Sequence, residues 1–170
     1  MEIKKSSRHS KITGDFAEGL VLYWLSKYGY ECARVDHVGI DLIARNPKNN
    51  ERLGISVKSR SRYDGTEGES VLLPADGFDK ADRACQTFGL IPYYAVVIDG
   101  GGKIRCYMTT LAHLREVAGG TPEGNRYWKM GGKRVELYRN DPLIEIFEME
   151  VTACSWRDRQ PEIAIEDTED

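Results

Sequence analysis

The sequence predicts an α/β fold of the α+β kind, in which helices flank a mixed β-sheet. Three observations support this prediction: a helical apolar pattern at 13–28, a strong turn sequence at 46–50 between two strand-like segments, and a second helical segment at 76–89 that leads directly into a buried strand. The length of 170 residues is typical of one domain with a single core.

The composition and charge argue against a protein that binds nucleic acid through overall positive charge, and against a membrane protein. Apolar residues make up 41% of the chain and the formal net charge is −3, whereas proteins that hold duplex DNA by bulk electrostatics are usually basic. A role with nucleic acid must therefore depend on a local basic patch. We expect a cytoplasmic protein without a membrane partner, because no segment resembles a signal peptide or a membrane span and the four scattered cysteines are typical of free thiols.

The amino-terminal part predicts a loose basic arm at 1–12 and then a helix. Thr13 is expected to be the N-cap of this helix, and Gly29 is expected to end it. Apolar side chains recur at about 100° per residue, so one face should pack on a sheet. The members of this face are Ala17, Leu20, Val21, Trp24, Leu25 and Tyr28.

Residues 39–60, GIDLIARNPKNNERLGISVKSR, predict a β-hairpin. The NPKNN segment at 46–50 is strong turn chemistry, and a turn centred there places Asp41 opposite Ser56. Because side chains alternate along a strand, Asp41, Ser56 and Lys58 are expected to share one face. The opposite face is expected to hold the apolar residues Ile40, Leu42, Ile55 and Val57.

The rest of the chain predicts shorter elements. We expect strands at 30–36, 71–74, 91–99 and 103–110, helices at 76–89 (capped by Asp76 and ended by Gly89) and 110–120, and a strand, a short helix and a strand within 126–151. The predicted organisation is an arm at 1–12, a core at 13–110, a C-terminal accessory region packed on the core at 111–156 and an acidic tail at 157–170.

Two acids and a lysine predict a site for phosphodiester chemistry. Glu18 lies at the margin of the apolar helix face, from which its carboxylate can reach the edge of a neighbouring strand. With Asp41 it would supply the hard oxygen ligands that Mg²⁺ prefers. Such a metal polarises a phosphate and activates water, while Lys58 would stabilise the charge of the transition state or orient the water.

Three segments, GDFAEGLVLYWLSKYGY, GIDLIA and ISVKSR, resemble the motifs of the PD-(D/E)xK nuclease superfamily in the family's order, especially in its restriction-endonuclease-like and Holliday-junction-resolvase-like branches. The resemblance covers about residues 13–98. It implies a restriction-endonuclease-like sheet and a Mg²⁺- or Mn²⁺-dependent endonuclease acting on DNA. It also implies that Asp41 is the main metal ligand, Glu18 an accessory ligand and Lys58 the catalytic lysine, and it leaves a homodimer open. No glycine-rich phosphate loop is present, so no nucleotide cofactor is expected.

Ser56 occupies the position at which the family usually has an acid, and a hydroxyl is a weaker metal ligand than a carboxylate. In some family members the acid comes from the following helix, which here offers Asp79 and Asp82 on one face, besides Asp76. The preceding loop offers Glu67 and Glu69. Two functions therefore stay open: a metal-dependent endonuclease, and a catalytically inactive module that binds nucleic acid or a partner protein.

Basic residues beside the predicted site have two interpretations. Lys58, Arg60 and Arg62 alternate along an extended segment, so their charges lie on one side of the chain. They form either an edge that contacts phosphates or a solvated strand end. Lys11 in the basic arm could likewise follow a nucleic-acid backbone or belong to a terminus without a ligand.

Overall fold

The computed structural model describes residues 5–63 and 65–151. Within these ranges no helix is both long enough and apolar enough to cross a membrane. The elements in chain order are α1 (His9–Lys27), β1 (Glu31–His37), β2 (Ile40–Arg45), β3 (Arg52–Ser61), β4 (Val71–Leu73), α2 (Ala75–Phe88), β5 (Ile91–Gly100), β6 (Lys103–Thr110), α3 (Leu111–Val117), β7 (Gly119–Gly120), β8 (Arg126–Trp128), α4 (Gly132–Arg139) and β9 (Glu145–Glu150).

A mixed six-stranded sheet organises the molecule, with strand order β1-β2-β3-β5-β6-β9. β3 and β5 are parallel, and the other neighbouring pairs are antiparallel. α1 packs on one face of the sheet, where an apolar cluster joins it to the central strands. A second cluster on the opposite face joins α2, α3 and α4 to the sheet and to a small sheet of order β4-β8-β7. This architecture confirms the predicted mixed sheet flanked by helices.

The start of α1 corrects the predicted arm at 1–12. The helix begins at His9, so residues 9–12 are helical, and residues 1–4 lie outside the described part of the chain. Thr13 is inside the helix and is not its N-cap. Its hydroxyl donates to the carbonyl oxygen of His9 at 2.7 Å, which is a bond that hydroxyls make within helices. Gly29, with φ 86°, follows the helix end as predicted.

The start of α2 corrects the predicted cap at Asp76. The helix begins at Ala75, whose backbone N–H donates to the side-chain oxygen of Asn125 at 3.0 Å. Asp76 lies in the first turn and pairs with Lys80 at 2.7 Å. A cap supplied from 50 residues away cannot be read from the local sequence. Gly89, with φ 64°, ends the helix as predicted.

The hairpin has the predicted register, with one exception on its apolar face. Leu42 pairs with Ile55 across β2 and β3, and continuing this register places Asp41 opposite Ser56. Ile40 packs on α2, however, and does not join Leu42 on the α1 side. The β1–β2 ladder is irregular at this turn, and a Cβ at Gly39 (φ 106°) would overlap the backbone of α2. The close approach of the turn to α2 therefore directs Ile40 to that helix.

Residues 111–151 are built into the same core as the rest of the chain. β9 completes the main sheet beside β6, and β8 pairs with β4 in the small sheet. These elements, with α3 and α4, confirm the strand, helix and strand predicted within 126–151. The helix predicted at 110–120 is present but shorter, since α3 ends at Val117 and Gly119–Gly120 form β7. Residues 152–156 and the acidic tail at 157–170 lie outside the described part of the chain.

His113 connects α3 to the turn before β9, and we expect its contribution to the stability of the fold to depend on pH. Its Nε2 lies 2.8 Å from the Asp141 carboxylate and its Nδ1 lies 3.3 Å from that of Glu116. Burial lowers the pKa of His113, but the hydrogen bonds with both acids outweigh burial and raise the pKa above its ordinary value. A raised pKa in the folded state means that the interaction is fully present below the unfolded pKa and is lost as pH rises through the folded pKa.

Replacing His113 with glutamine is therefore expected to destabilise the fold by about 1 kcal/mol near pH 6 and by clearly less near pH 9. The measurement is urea unfolding of both proteins at each pH. A loss of stability that stays the same from about pH 6 to pH 9 would contradict this account of the histidine.

Candidate active site

Asp41 lies at the point where β2 and β3 diverge. The ladder of the hairpin runs from the Arg45–Arg52 pair to the Leu42–Ile55 pair. One step further, the Asp41 carboxylate accepts a hydrogen bond from the Val57 backbone N–H at 2.6 Å, where a longer ladder would supply a carbonyl oxygen. The aspartate thus has the partner that a partly buried carboxylate needs, and this bond fixes its orientation.

Glu18 approaches the same strand end from α1. Burial and then the negative charge of Asp41 raise the pKa of Glu18, while the positive charge of Arg34 opposes the rise. The Nε atom of Arg34 lies 3.9 Å from the Glu18 carboxylate. Arg34 is also fixed against α1, because its guanidinium donates to the Asp15 carbonyl oxygen at 2.8 Å. The two acids are therefore electrostatically coupled and only partly neutralised.

Lys58 reaches the site through Ser56. Its Nζ donates to the Ser56 hydroxyl at 3.0 Å and to the Val57 carbonyl oxygen at 3.3 Å. The Ser56 hydroxyl also lies 3.5 Å from the Asp41 carboxylate, at the limit of a hydrogen bond. The Ser56 hydroxyl therefore lies between the Lys58 amine and the Asp41 carboxylate.

Tyr94 on β5 lies next to Ser56 and Lys58. It pairs with Ser56 in the parallel β3–β5 register, and its ring centroid is 5.9 Å from the Lys58 Nζ. Burial raises the pKa of Tyr94 to about 12, with an opposing effect from hydrogen bonding to Ser56. The phenol is therefore neutral at neutral pH and adds no negative charge to the site.

The two carboxylates at this strand end are of the ligand type that a hard divalent cation takes. Glu18 and Asp41 supply two carboxylates, and the mutual repulsion that raises the pKa of Glu18 is relieved by a positive ion. Across 5–63 and 65–151, no three His, Cys, Asp or Glu side chains form a group that could hold a metal. A cation here would therefore depend on two carboxylates, with oxygens of water or phosphate completing its coordination.

The other candidate acids have different surroundings. Asp82 accepts a hydrogen bond from Arg115 at 2.6 Å, which ties α2 to α3, and Asp79 is exposed. Asp76 pairs with Lys80, although its charge also contributes to the raised pKa of Tyr94. The two loop acids are engaged locally: Glu67 accepts from the Gly65 N–H at 2.9 Å, and Glu69 pairs with Arg62 at 2.9 Å.

The candidate basic residues differ in how many of their N–H groups are already bonded within the protein. Arg62 holds the loop before β4, because its guanidinium bonds the Glu69 carboxylate and the carbonyl oxygens of Glu69 and Ser70. Arg60 bonds the carbonyl oxygens of Ser59 at 2.7 Å and Leu72 at 3.3 Å. Lys11 is exposed and lies 3.5 Å from Asp15 on the same helix. The alternating charges of the sequence therefore do not form one free basic edge.

Two residues of the site were not anticipated from the sequence. Tyr94 belongs to an apolar strand, and its position beneath Ser56 depends on the parallel pairing of β3 with β5. Arg34 belongs to β1, and its position beside Glu18 depends on the packing of α1 over that strand. A tyrosine within the run IPYYAVVID was the one available signal, since a buried hydroxyl needs a polar partner.

This sheet, with α1 on one face and α2 on the other, is a restriction-endonuclease-like fold. The structure is similar to that of Hjc, a Holliday junction resolvase from the archaeal hyperthermophile Archaeoglobus fulgidus, with a TM-score of 0.52 and 22% sequence identity over 68% of this chain and 83% of that chain. No protein-family model and no curated protein matches the sequence. At this level of identity the similarity establishes the fold alone.

Proposed function

We propose that the protein is a Mg²⁺- or Mn²⁺-dependent endodeoxyribonuclease of the PD-(D/E)xK type, in which Ser56 replaces the second acid. The observation that carries this proposal is the convergence on Asp41: Glu18 is coupled to it through space, and Lys58 is linked to it through Ser56. The similarity of the fold to that of a Holliday junction resolvase supports DNA as the substrate.

Each residue of the site has a distinct task in this proposal. Asp41 and Glu18 would hold the cation, which when bound polarises the phosphate and lowers the pKa of water. The Val57 N–H keeps the Asp41 carboxylate in one orientation. Lys58 presents its positive charge to the phosphate oxygens, where negative charge grows during hydrolysis. Ser56 accepts a hydrogen bond from the lysine amine and so positions it. Tyr94 is neutral, so it does not cancel the positive charge of Lys58.

The missing acid has a consequence for metal binding. A hydroxyl at position 56 leaves the site with one negative charge fewer than a carboxylate would provide. The affinity for a divalent cation rises with the number of charged ligands, so we expect weaker binding than at a site with three acids. A phosphate of the bound DNA would then contribute to coordination, which makes metal and substrate binding mutually dependent.

The direct test is cleavage of supercoiled plasmid, linear duplex and four-way-junction DNA by the purified protein with Mn²⁺, and separately with EDTA. We expect cleavage of at least one of these substrates with Mn²⁺ and none with EDTA. If the protein binds DNA but cleaves none of the three substrates with Mn²⁺, the proposal is contradicted and a catalytically inactive module on the same fold is favoured.

A further inference from the structure

Two contiguous cavities lie between the first half of α1 and the end of β3. The larger measures about 360 Å³ and the smaller about 180 Å³, and His9, Thr13, Ser59 and Arg60 line both. The larger cavity alone lies at the lower end of the size range of small-molecule sites, about 300 to 1,000 Å³. The larger cavity is also lined by Val57 and Lys58, so the cleft opens directly from the candidate active site.

The larger cavity has cationic and hydroxyl-bearing walls. Lys5 is held at its edge, since its Nζ donates to the Ser61 carbonyl oxygen at 2.8 Å and lies 4.3 Å from the ring centroid of Tyr63. None of the described residues that line this cavity is acidic. Lysine, arginine and hydroxyl side chains are the usual partners of nucleic-acid phosphates. Lys5, Lys58 and Arg60 donate to backbone carbonyl oxygens but each has further N–H groups that a phosphate could accept from. The cationic and hydroxyl side chains of these walls are Lys5, Ser10, Thr13, Lys58, Ser59, Arg60 and Ser61.

The smaller cavity has a different character. Ile12, Phe16 and Val97 form its apolar wall, and Ile12 and Phe16 are 56% and 46% exposed. Asp99 at its rim is exposed and offers a carboxylate acceptor. A nucleobase matches this wall, because its face stacks on aromatic side chains and its edge carries N–H donors. The cavity also lies next to the larger one, as a base lies next to its own phosphate.

We propose that this cleft binds one unpaired nucleotide of the substrate, with the phosphate in the larger cavity and the base on Phe16 in the smaller cavity. The inference rests on the proposed function for the kind of ligand, and it specifies the substrate class. A base can enter such a cavity only when it is outside the helical stack. The substrate is therefore DNA with an unpaired nucleotide at an overhang, a flap or a branch point, and continuous duplex is bound more weakly.

Binding can be measured without cleavage, so that the two proposals are tested separately. The probes are a fluorescein-labelled duplex with a single-stranded overhang and a blunt duplex of equal length, and the readout is fluorescence anisotropy in EDTA. We expect wild type to bind the overhang DNA about tenfold more tightly than the blunt DNA. Phe16→Ala is expected to remove most of this preference and to leave the affinity for blunt DNA unchanged.

Tyr23→Ala is the matched control. Tyr23 is an aromatic residue of the same helix that is 56% exposed and lines neither cavity. We expect this variant to keep the wild-type preference, and thermal unfolding of both variants checks that the helix is intact. Equal affinity of wild type for the two DNAs would overturn the proposal. So would a Phe16→Ala variant that keeps the preference, or a Tyr23→Ala variant that loses it equally.

The outcomes for the two proposals are distinguishable. A preference for the overhang DNA that depends on Phe16, together with no cleavage of any DNA in Mn²⁺, would overturn the proposed nuclease activity and support the cleft. Cleavage that depends on Asp41, together with no preference in binding, would support the nuclease and overturn the cleft.

Discussion

The Asp41→Asn variant is expected to lose Mn²⁺-dependent DNA cleavage by about 100-fold or more while keeping its fold. Asparagine has nearly the same shape as aspartate, and its side-chain oxygen can still accept the hydrogen bond of the Val57 N–H. The substitution removes the negative charge that would hold the cation. The measurement is the initial rate of plasmid nicking by variant and wild type at equal Mn²⁺ concentration.

Asp36→Asn provides the control for this experiment. Asp36 lies on β1, in the same part of the chain, and is exposed. Its substitution makes the same change of net charge, and we expect the rate of cleavage to stay within about twofold of wild type. Wild-type cleavage by Asp41→Asn would contradict the assignment of the site, and so would an equal loss in both variants.

The Trp128→Ala variant is expected to destabilise the protein by about 3 to 5 kcal/mol. Trp128 is fully buried, and its ring lies 5.9 Å from that of Tyr107 and 5.8 Å from that of Tyr138. It therefore joins β8, the main sheet and α4 in one cluster. Because domains of this kind have total stabilities of about 5 to 15 kcal/mol, the loss would be a large part of the whole. Urea unfolding followed by circular dichroism measures it.

Tyr127→Ala is the neighbouring control. Tyr127 precedes Trp128 on β8 and is 41% exposed, because successive side chains of a strand point to opposite faces. Its replacement is expected to cost about 1 kcal/mol or less. If the two variants were equally stable, residues 111–151 would not share the core of the sheet. A large loss in Trp128→Ala alone would support one cooperative unit.

Local chemistry explains which parts of the fold could be predicted. The hairpin register followed from the turn at 46–50 and from side-chain alternation, so the placement of Asp41 opposite Ser56 required no knowledge of other segments. Gly29 and Gly89 likewise marked helix ends through their own backbone conformation. By contrast, the cap of α2 comes from Asn125, and a helix start at His9 has no capping side chain that the sequence could reveal.

In the candidate site, too, some contacts could be predicted from local sequence and others could not. Alternation along the strand placed Ser56 and Lys58 together, and helical periodicity brought Glu18 towards the strand edge. The pairing of Asp82 with Arg115, and the engagement of Arg62 by its loop, depend on how distant segments pack. Charge patterns read along one segment cannot show which charges are already satisfied by another segment.

In the proposed function, Glu18 and Asp41 together bind a divalent cation. The most direct test is Mn²⁺ binding by wild type and by the Glu18→Gln, Asp41→Asn double variant, measured from the electron paramagnetic resonance signal of free Mn²⁺. When Mn²⁺ is raised until wild type is saturated, we expect wild type to take up about one Mn²⁺ per chain and the double variant to take up none. Equal Mn²⁺ uptake by both proteins would contradict this role of the two acids.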